Sequence, residues 1–185
     1  MVKKIKLKNT VILDTETTGL GDEDEIVQIA IIDGFTGKIL LNEKLKPITS
    51  ISKSASNIHG ITNEEVKGCI TYQSIHEKVV KLTAGKKVLI YNAEFDQRIT
   101  YQTAVMHDCI PDTIEKWDIF CVMEWYSEYY DCWNDYFESY TWQKLTSAAR
   151  QQRIDISDLS AHEAWSDCEI TRRLIHAVNL ELTLK

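Results

Sequence analysis

Short apolar runs recur along the chain, and most of them end at glycine, proline or a polar cluster. Val11-Ile12-Leu13 and the runs 25–35 and 87–91 are rich in aliphatic and β-branched side chains, which predicts strands. The sequence Gly34-Phe35-Thr36-Gly37 has the composition of a hairpin turn. Residues 38–45 then alternate in polarity, so they predict the returning strand. A last short strand is predicted at 117–121.

Helical spacing and capping signals fill the intervals between these runs. Helices are predicted after Thr62-Asn63-Glu64-Glu65 and over 71–83, 94–108, 141–150 and 160–182. The first of these openings is a capping box, Thr71 is placed to cap the second, and Ser160-Ala161-His162-Glu163 is a second capping box. In the third helix, Phe95, Ile99 and Met106 are expected to face inward. The segment 122–140, dense in aromatic and acidic residues, has no assignment.

Three strands in a meander, followed by alternating strands and helices, predict an α/β fold with a mixed sheet flanked by α-helices. With 185 residues, we expect one domain over 1–185. No apolar stretch approaches the ~20 residues of a membrane helix, and the basic N-terminus lacks the apolar core of a secretory signal. Five cysteines without CxxC spacing indicate reduced thiols. We therefore expect a cytoplasmic protein with no membrane association.

The formal net charge of −7 argues against a protein that coats long duplex nucleic acid, since such a protein needs many lysines and arginines. It is compatible with an enzyme that grips a few nucleotides. Part of the negative charge would belong to metal ligands and be neutralised by bound cations. The scattered basic pairs are most simply solvated surface residues.

Four acidic residues and one histidine carry the candidate chemistry: Asp14, Glu16, Asp96, Asp167 and His162. Two residues apart on a strand, Asp14 and Glu16 share a face. If all four carboxylates converged, they would repel one another unless cations lay between them. Carboxylate oxygens suit Mg²⁺ or Mn²⁺, and a pair of such ions serves phosphodiester hydrolysis. A histidine base fits this chemistry because it titrates near neutrality.

Four of these five residues also have a simpler interpretation, and Asp167 does not. Asp14 and Glu16 fit a polar turn that ends a strand, and Asp96 fits an acid placed near a helix N-terminus by the dipole. His162 fits a surface or capping residue. Asp167 is in helical register with apolar residues, where an unpaired carboxylate needs a partner.

Taken together, the motifs resemble the DEDDh branch of the 3′–5′ exonucleases. Asp-x-Glu matches the first exonuclease motif at Asp14 and Glu16, and Asn-x-x-Phe-Asp matches the second at Asp96. His-x-Ala-x-x-Asp matches the third at His162 and Asp167, with the histidine spacing of this branch. Ile58-His59-Gly60-Ile61-Thr62 is similar to a segment that lies beside the terminal nucleotide in the family. The resemblance covers about residues 8–180.

The resemblance implies a ribonuclease-H-like fold with a five-stranded mixed sheet. It also implies two Mg²⁺ or Mn²⁺ ions held by the four carboxylates, and His162 as the base that deprotonates water. Nucleoside 5′-monophosphates would be released from a 3′ end. The residues implied to hold the terminal nucleotide, or to shape the turn beside it, are Thr17, Thr18, Gly19, Leu20, Ile58, His59, Asn92 and Phe95.

Three matters stay open at this point. We expect single-stranded DNA as substrate, with RNA trimming as the alternative and an inactive nucleic-acid-binding or scaffold module as the less favoured one. The chain has no long tail after its last predicted helix, which favours a stand-alone enzyme, although a polymerase or another replication or repair protein is a candidate partner. The aromatic residues of 122–140 either stack on bases, form an interface or, as we expect for half of them, pack in an extra helix.

Overall fold

The computed structural model describes residues 2–184, which form a five-stranded mixed sheet, a small hairpin and eight α-helices. The sheet has the order β3-β2-β1-β4-β5. Its strands are β1 (Thr10–Thr17), β2 (Ile26–Asp33), β3 (Ile39–Lys44), β4 (Lys87–Ile90) and β5 (Asp118–Cys121). This confirms the α/β class, the five strands and the flanking helices.

The first three strands form the predicted antiparallel meander, whereas β4 and β5 run parallel to β1. The Asp33 carbonyl closes the predicted hairpin turn by accepting from the Gly37 amide at 2.8 Å. Between β1 and β2 the register shifts at Glu16 and Thr17. A bulge of this kind commonly lies next to an active site because it redirects side chains at a strand end.

The helices cover both faces of the sheet. They are α1 (Lys53–His59), α2 (Asn63–Val66), α3 (His76–Thr83), α4 (Ala93–Met106), α5 (Asp112–Glu115), α6 (Val122–Tyr130), α7 (Leu145–Gln151) and α8 (Ala164–Leu184). Alternate residues of β1 enter two different cores. Ile12 packs with residues of α6, α7 and α8, whereas Leu13 packs with residues of α3 and α4. A strand buried on both faces explains the continuous apolar run.

The Thr62 capping box is confirmed, since Thr62 and Glu65 exchange both hydrogen bonds. Other predicted helix starts differ. Thr71 makes no capping bond, and a 3₁₀ turn precedes α3. Helix α7 begins four residues later than predicted. Of the three side chains expected inward on α4, Ile99 is fully buried and the other two are half-buried.

The second predicted capping box, at Ser160, is wrong. Helix α8 begins at Ala164, and the Ser160 amide donates to Ser166 Oγ at 3.3 Å. The Glu163 side chain turns away from its expected capping position because Gln28 and Asn42 donate to its Oε1 at 3.2 and 3.4 Å. Residues 160–163 therefore form a loop fastened to the sheet.

The unassigned segment 122–140 divides into helix α6 and a hairpin of β6 (Trp133–Asn134) and β7 (Ser139–Tyr140). Trp125 and Tyr126 of α6 are buried, which confirms that part of the aromatic set packs in an extra helix. Tyr136 and Phe137 at the hairpin tip are exposed. Within residues 2–184, no helix has the length and apolarity to cross a bilayer.

Candidate active site

The four acidic residues gather at the carboxyl end of β1. Asp14 and Glu16 point to the face of the sheet covered by α8, as their two-residue spacing predicts. Asp167 lies in the first turn of α8, whose Ile170, Leu174 and Val178 are fully buried. The α8 register predicted from the sequence is therefore confirmed, and it brings a third carboxylate to β1.

Asp96 reaches the site from α4, on the opposite face of the sheet. Thr15 Oγ1 donates to Asp96 Oδ1 at 2.7 Å, and the Asp96 amide donates to the Asn92 carbonyl at 3.2 Å. Only 4% of Asp96 is exposed. Because side chains alternate along β1, Thr15 faces α4 while its two acidic neighbours face α8. One strand thereby joins carboxylates from both faces.

His162 lies just before α8 with φ of 62°, in the left-handed region. Sequence reasoning placed it in the first turn of the helix and was wrong on that point. The loop conformation brings the exposed imidazole to the carboxylates, so that one ligand atom each of Glu16, His162 and Asp167 lies within 4.8 Å of the others. An ideal helix would have separated His162 from Asp167 by ~140°.

Burial raises the pKa of every carboxyl group in the cluster, and repulsion between the acids adds to the shift for Asp14, Glu16 and Asp96. Burial, followed by the charges of Asp167 and Asp96, raises the pKa of Glu16 to about 8. The pKa of Asp96 rises to about 7 through burial, although its hydrogen bonds from Thr15 oppose the shift. Burial raises the pKa of Asp167 to about 6, and it raises that of Asp14 strongly, with further contributions from the other three acids.

The residues present fit a divalent cation. All four acids offer the hard oxygen ligands that Mg²⁺ and Mn²⁺ prefer. Asp167 Oδ1 is buried without a hydrogen-bond partner, and such an atom carries a large desolvation cost unless a cation or donor meets it. A cation would also relieve the repulsion that contributes to the raised pKa values of Asp14, Glu16 and Asp96.

A cavity of about 480 Å³ opens beside these acids, which is within the usual size range of small-ligand sites. Six of the residues implied to bind the nucleotide line it: Thr17, Gly19, Leu20, Ile58, His59 and Phe95. Leu20 and Ile58 are largely exposed at its rim. The lining also includes Glu16 itself, so the cavity is continuous with the acidic cluster.

His59 joins two walls of this cavity. The Ile61 amide donates to His59 Nδ1 at 3.0 Å, so the ring proton resides on Nε2, which donates to the Thr17 carbonyl at 3.1 Å. Burial lowers the pKa of His59, which favours this neutral form. The imidazole therefore fastens α1 to the end of β1.

Two other implied residues do not line the cavity. Thr18 is fully buried, its amide donates to the Glu25 carbonyl at 2.8 Å, and its carbonyl accepts from Ser52 at 2.9 Å. It supports the wall from behind. Asn92 is exposed, and its side chain makes no capping bond with α4, contrary to the expectation that it would fix the turn.

Sequence reasoning missed Gln28 and Glu163. Gln28 stands opposite Glu16 in the β1–β2 ladder and is 3% exposed. It donates to Glu163 and accepts from the Ala164 amide at 3.4 Å, so it holds the loop that carries His162. The available signal was a glutamine within an otherwise apolar strand, since a buried amide needs partners.

Comparison with known proteins agrees with this arrangement of acidic residues and cavity. Residues 11–175 match the family model RNase_T, described as exonuclease. The chain belongs to this exonuclease family. Its members are metal-dependent 3′–5′ exonucleases, which hydrolyse phosphodiester bonds. The family assignment predicted from the three motifs is thereby confirmed.

Individual relatives agree with the family. The chain is 38% identical over 181 residues to a protein named uncharacterized exonuclease CP81 of Escherichia phage 186, covering 95% of this chain and 91% of that protein. It is 31% identical over 96 residues to DNA polymerase III subunit epsilon of Buchnera aphidicola subsp. Schizaphis graminum, covering 46% of this chain and 41% of that protein.

A solved structure confirms the ribonuclease-H-like fold. The chain superposes on the nuclease domain of 3′hExo, a DEDDh family member bound to rAMP, with a TM-score of 0.70 and 17% identity, covering 98% of this chain and 95% of that chain. At 17% sequence identity, this similarity supports a shared fold alone.

Proposed function

We propose that this protein is a 3′–5′ exonuclease that hydrolyses the last phosphodiester of a nucleic acid strand and releases nucleoside 5′-monophosphates. The observation that carries the proposal is the convergence of Asp14, Glu16, Asp96 and Asp167 beside a cavity of nucleotide size. We further propose that residues 1–185 act as one exonuclease domain.

In this proposal the four acids hold two Mg²⁺ or Mn²⁺ ions. When bound, such ions stabilise the charge that develops on the oxygens of the phosphodiester. The buried, unpartnered Oδ1 of Asp167 supports a ligand role for that residue. Thr15 supports Asp96 by donating to one carboxylate oxygen, which leaves the other free to act as a ligand.

His162 is the proposed general base. Its exposed ring takes the proton from the attacking water, and the new bond from water oxygen to phosphorus forms as the bond to the 3′ oxygen breaks. The departing 3′ oxygen finally takes up a proton. Support for this role comes from the position of the imidazole beside Glu16 and Asp167 at the mouth of the cluster.

The cavity is the proposed site of the terminal nucleotide. Leu20, Ile58 and Phe95 offer apolar surface for a base, while Thr17 and His59 add polar groups to the lining. Apolar and aromatic contact accepts any base, so we expect little sequence preference.

Single-stranded DNA is the proposed substrate, with RNA as the second candidate. The similarity to a DNA polymerase III subunit supports DNA as the substrate, whereas a structure of similar fold bound to rAMP supports RNA as the second candidate. The same polymerase relative supports a replication or repair protein as a partner. The five cysteines are free thiols, which is in keeping with the proposed cytoplasmic location.

A gel time course on matched 5′-labelled DNA and RNA oligonucleotides, with Mg²⁺, Mn²⁺ or EDTA, tests the proposal. We expect stepwise shortening from the 3′ end, faster on DNA, that EDTA and Asp14→Ala abolish. A strong preference for RNA would overturn the choice of DNA. Activity that persists in EDTA would overturn the metal-dependent mechanism, and no shortening of either strand would favour an inactive binding module.

A further inference from the structure

Glu25 is a fully buried carboxylate that lies outside the acidic cluster. It directly precedes β2, it is not one of the proposed metal ligands, and its side chain does not reach the surface. A buried carboxylate is costly unless its oxygens are satisfied, and here both of them are. The carboxylate has partners in two segments and the Glu25 backbone has partners in a third, and each segment leads to a different wall of the nucleotide cavity.

The first segment precedes α1. Glu25 Oε1 accepts from the amides of Ile48 and Thr49, both at 2.6 Å, and from Thr49 Oγ1 at 3.0 Å. Three residues later, Ser52 caps α1 by accepting from the Ala55 amide at 3.2 Å. Helix α1 then presents Ile58 and His59 to the cavity, so the carboxylate anchors the approach to this wall.

The second segment is the loop after β1. The Glu25 amide donates to Thr18 Oγ1 at 3.0 Å, and the Glu25 carbonyl accepts from the Thr18 amide at 2.8 Å. Thr18 Oγ1 in turn donates to Asp24 Oδ1 at 2.7 Å. Thr18 stands between Thr17 and Gly19, which both line the cavity. The loop wall is therefore fastened to the same residue.

The third segment is the end of α4. Glu25 Oε2 lies 2.6 Å from Nε2 of His107, which caps this helix and is 8% exposed. The other end of α4 supplies Phe95 to the cavity and Asp96 to the acidic cluster. The Glu25 side chain thus joins the segment before α1 to the end of α4, while the backbone of the same residue holds the loop. The loop, α1 and α4 together line the cavity.

We propose that Glu25 is a positioning residue whose side chain sets the spacing of the α1 and α4 walls, beside the loop that its backbone holds, and thereby sets the grip on the terminal base. The inference rests on the proposed function of the cavity. Glu25 touches no reacting atom in this account, so its loss should weaken binding of the terminal nucleotide more than it slows the chemical step.

The test compares steady-state kinetics of Glu25→Ala, Glu25→Gln and the intact chain on two DNA strands. One strand ends in a normal 3′ nucleotide, and the other ends in an abasic nucleotide that has no base for the cavity to hold. Glu25→Gln keeps an oxygen for Ile48 and Thr49 and faces His107 with an amide. Asn179→Ala is the matched control, because it removes a similar pair of side-chain bonds to the backbone of Ile5, away from the cavity.

For Glu25→Ala we expect KM on the normal strand to rise about tenfold, because the hydrogen bonds to a charged group are lost. The kcat of this variant should stay within about threefold of that of the intact chain. Glu25→Gln should recover most of the loss. On the abasic strand the KM of Glu25→Ala should change less than about twofold, and Asn179→Ala should lower the Tm without changing KM on either strand. Thr49→Val, which loses only one donor, provides a milder version should Glu25→Ala not fold, with KM raised about threefold on the normal strand alone.

Equal losses on both strands, or a loss confined to kcat, would overturn the positioning role while leaving the exonuclease assignment intact. If the intact chain releases no mononucleotides from either strand, the proposed function itself fails.

Discussion

The acidic cluster should make the metal-free protein less stable as the pH rises, and Glu16 shows why. Its pKa in the folded protein is about 8, against an ordinary value of 4.5. Between these values the folded state keeps a proton that the unfolded state has lost. Because the folded state binds more protons there, the free energy of unfolding falls as pH rises and is lowest above pH 8.

The size of the effect follows from the shift. At ~1.36 kcal/mol for each pKa unit, the displacement of the Glu16 pKa to about 8 corresponds to about 4 to 5 kcal/mol of stability lost between pH 4.5 and pH 9. For a chain of this length, ~1 kcal/mol shifts the Tm by ~2–4 °C. We therefore expect the Tm in EDTA to fall by about 10 °C relative to a variant without this charge.

The assay is thermal unfolding in EDTA from pH 5 to pH 9, comparing the intact chain with Glu16→Gln. The comparison cancels other titrating groups, such as His59, whose lowered pKa acts in the opposite direction over this range. Exposed Glu64 offers the matched control, and Glu64→Gln should follow the intact chain. Mg²⁺ should remove most of the fall above pH 7, because the cations offset the repulsion.

A Tm difference between the intact chain and Glu16→Gln that stays constant from pH 5 to pH 9 in EDTA would refute the reasoning. The same conclusion would follow if Mg²⁺ stabilised the intact chain equally at pH 5 and pH 9. Either result would mean that the four carboxylates do not share one buried site.

Three further predictions concern the proposed base, the loop that carries it and the aromatic segment. His162→Ala should lower kcat about 10²–10⁴-fold but keep the Mg²⁺-dependent rise in Tm; loss of that rise would make the imidazole a metal ligand. Gln28→Leu releases the loop before α8, so it should lower kcat ~5-fold or more while KM stays unchanged. A change in KM with unchanged kcat in the same kinetic assay would contradict this prediction. In urea denaturation, Trp125→Ala should lower the free energy of unfolding by ~3–5 kcal/mol, because the Trp125 ring is buried and its Nε1 donates to a backbone carbonyl at 2.8 Å. Phe137→Ser on the exposed hairpin should change the free energy of unfolding by no more than ~0.5 kcal/mol. Similar losses for both variants would mean that the hairpin is also packed.

Patterns of short range were sufficient for much of the fold. Apolar runs located the five strands, and the turn residues at 34–37 predicted the first hairpin. Both signals are local, since a strand buried on two faces must be apolar and a tight turn needs particular residues. The short helices α1 and α5 escaped notice because four to seven residues carry too little periodicity to detect.

Prediction failed where side chains bond across the fold. The start of α8 was misplaced because Glu163 satisfies its carboxylate with Gln28 and Asn42 on the sheet instead of capping its own helix. Asn92 was expected to fix a turn, yet only the backbone does so there. The Glu163 bonds reach partners 135 and 121 residues away in the chain, which no local pattern contains.

The amino-acid sequence was enough to single out the four acids of the cluster and His162, because these residues stand in recognisable short motifs. Tertiary structure alone decided how they meet. Alternation along β1 sends Asp14 and Glu16 to one face and Thr15 to the other, so that Asp167 and Asp96 arrive from opposite sides of the sheet. The proposed role of Glu25 was likewise invisible in the sequence, since it depends on the distant segments that the buried carboxylate joins.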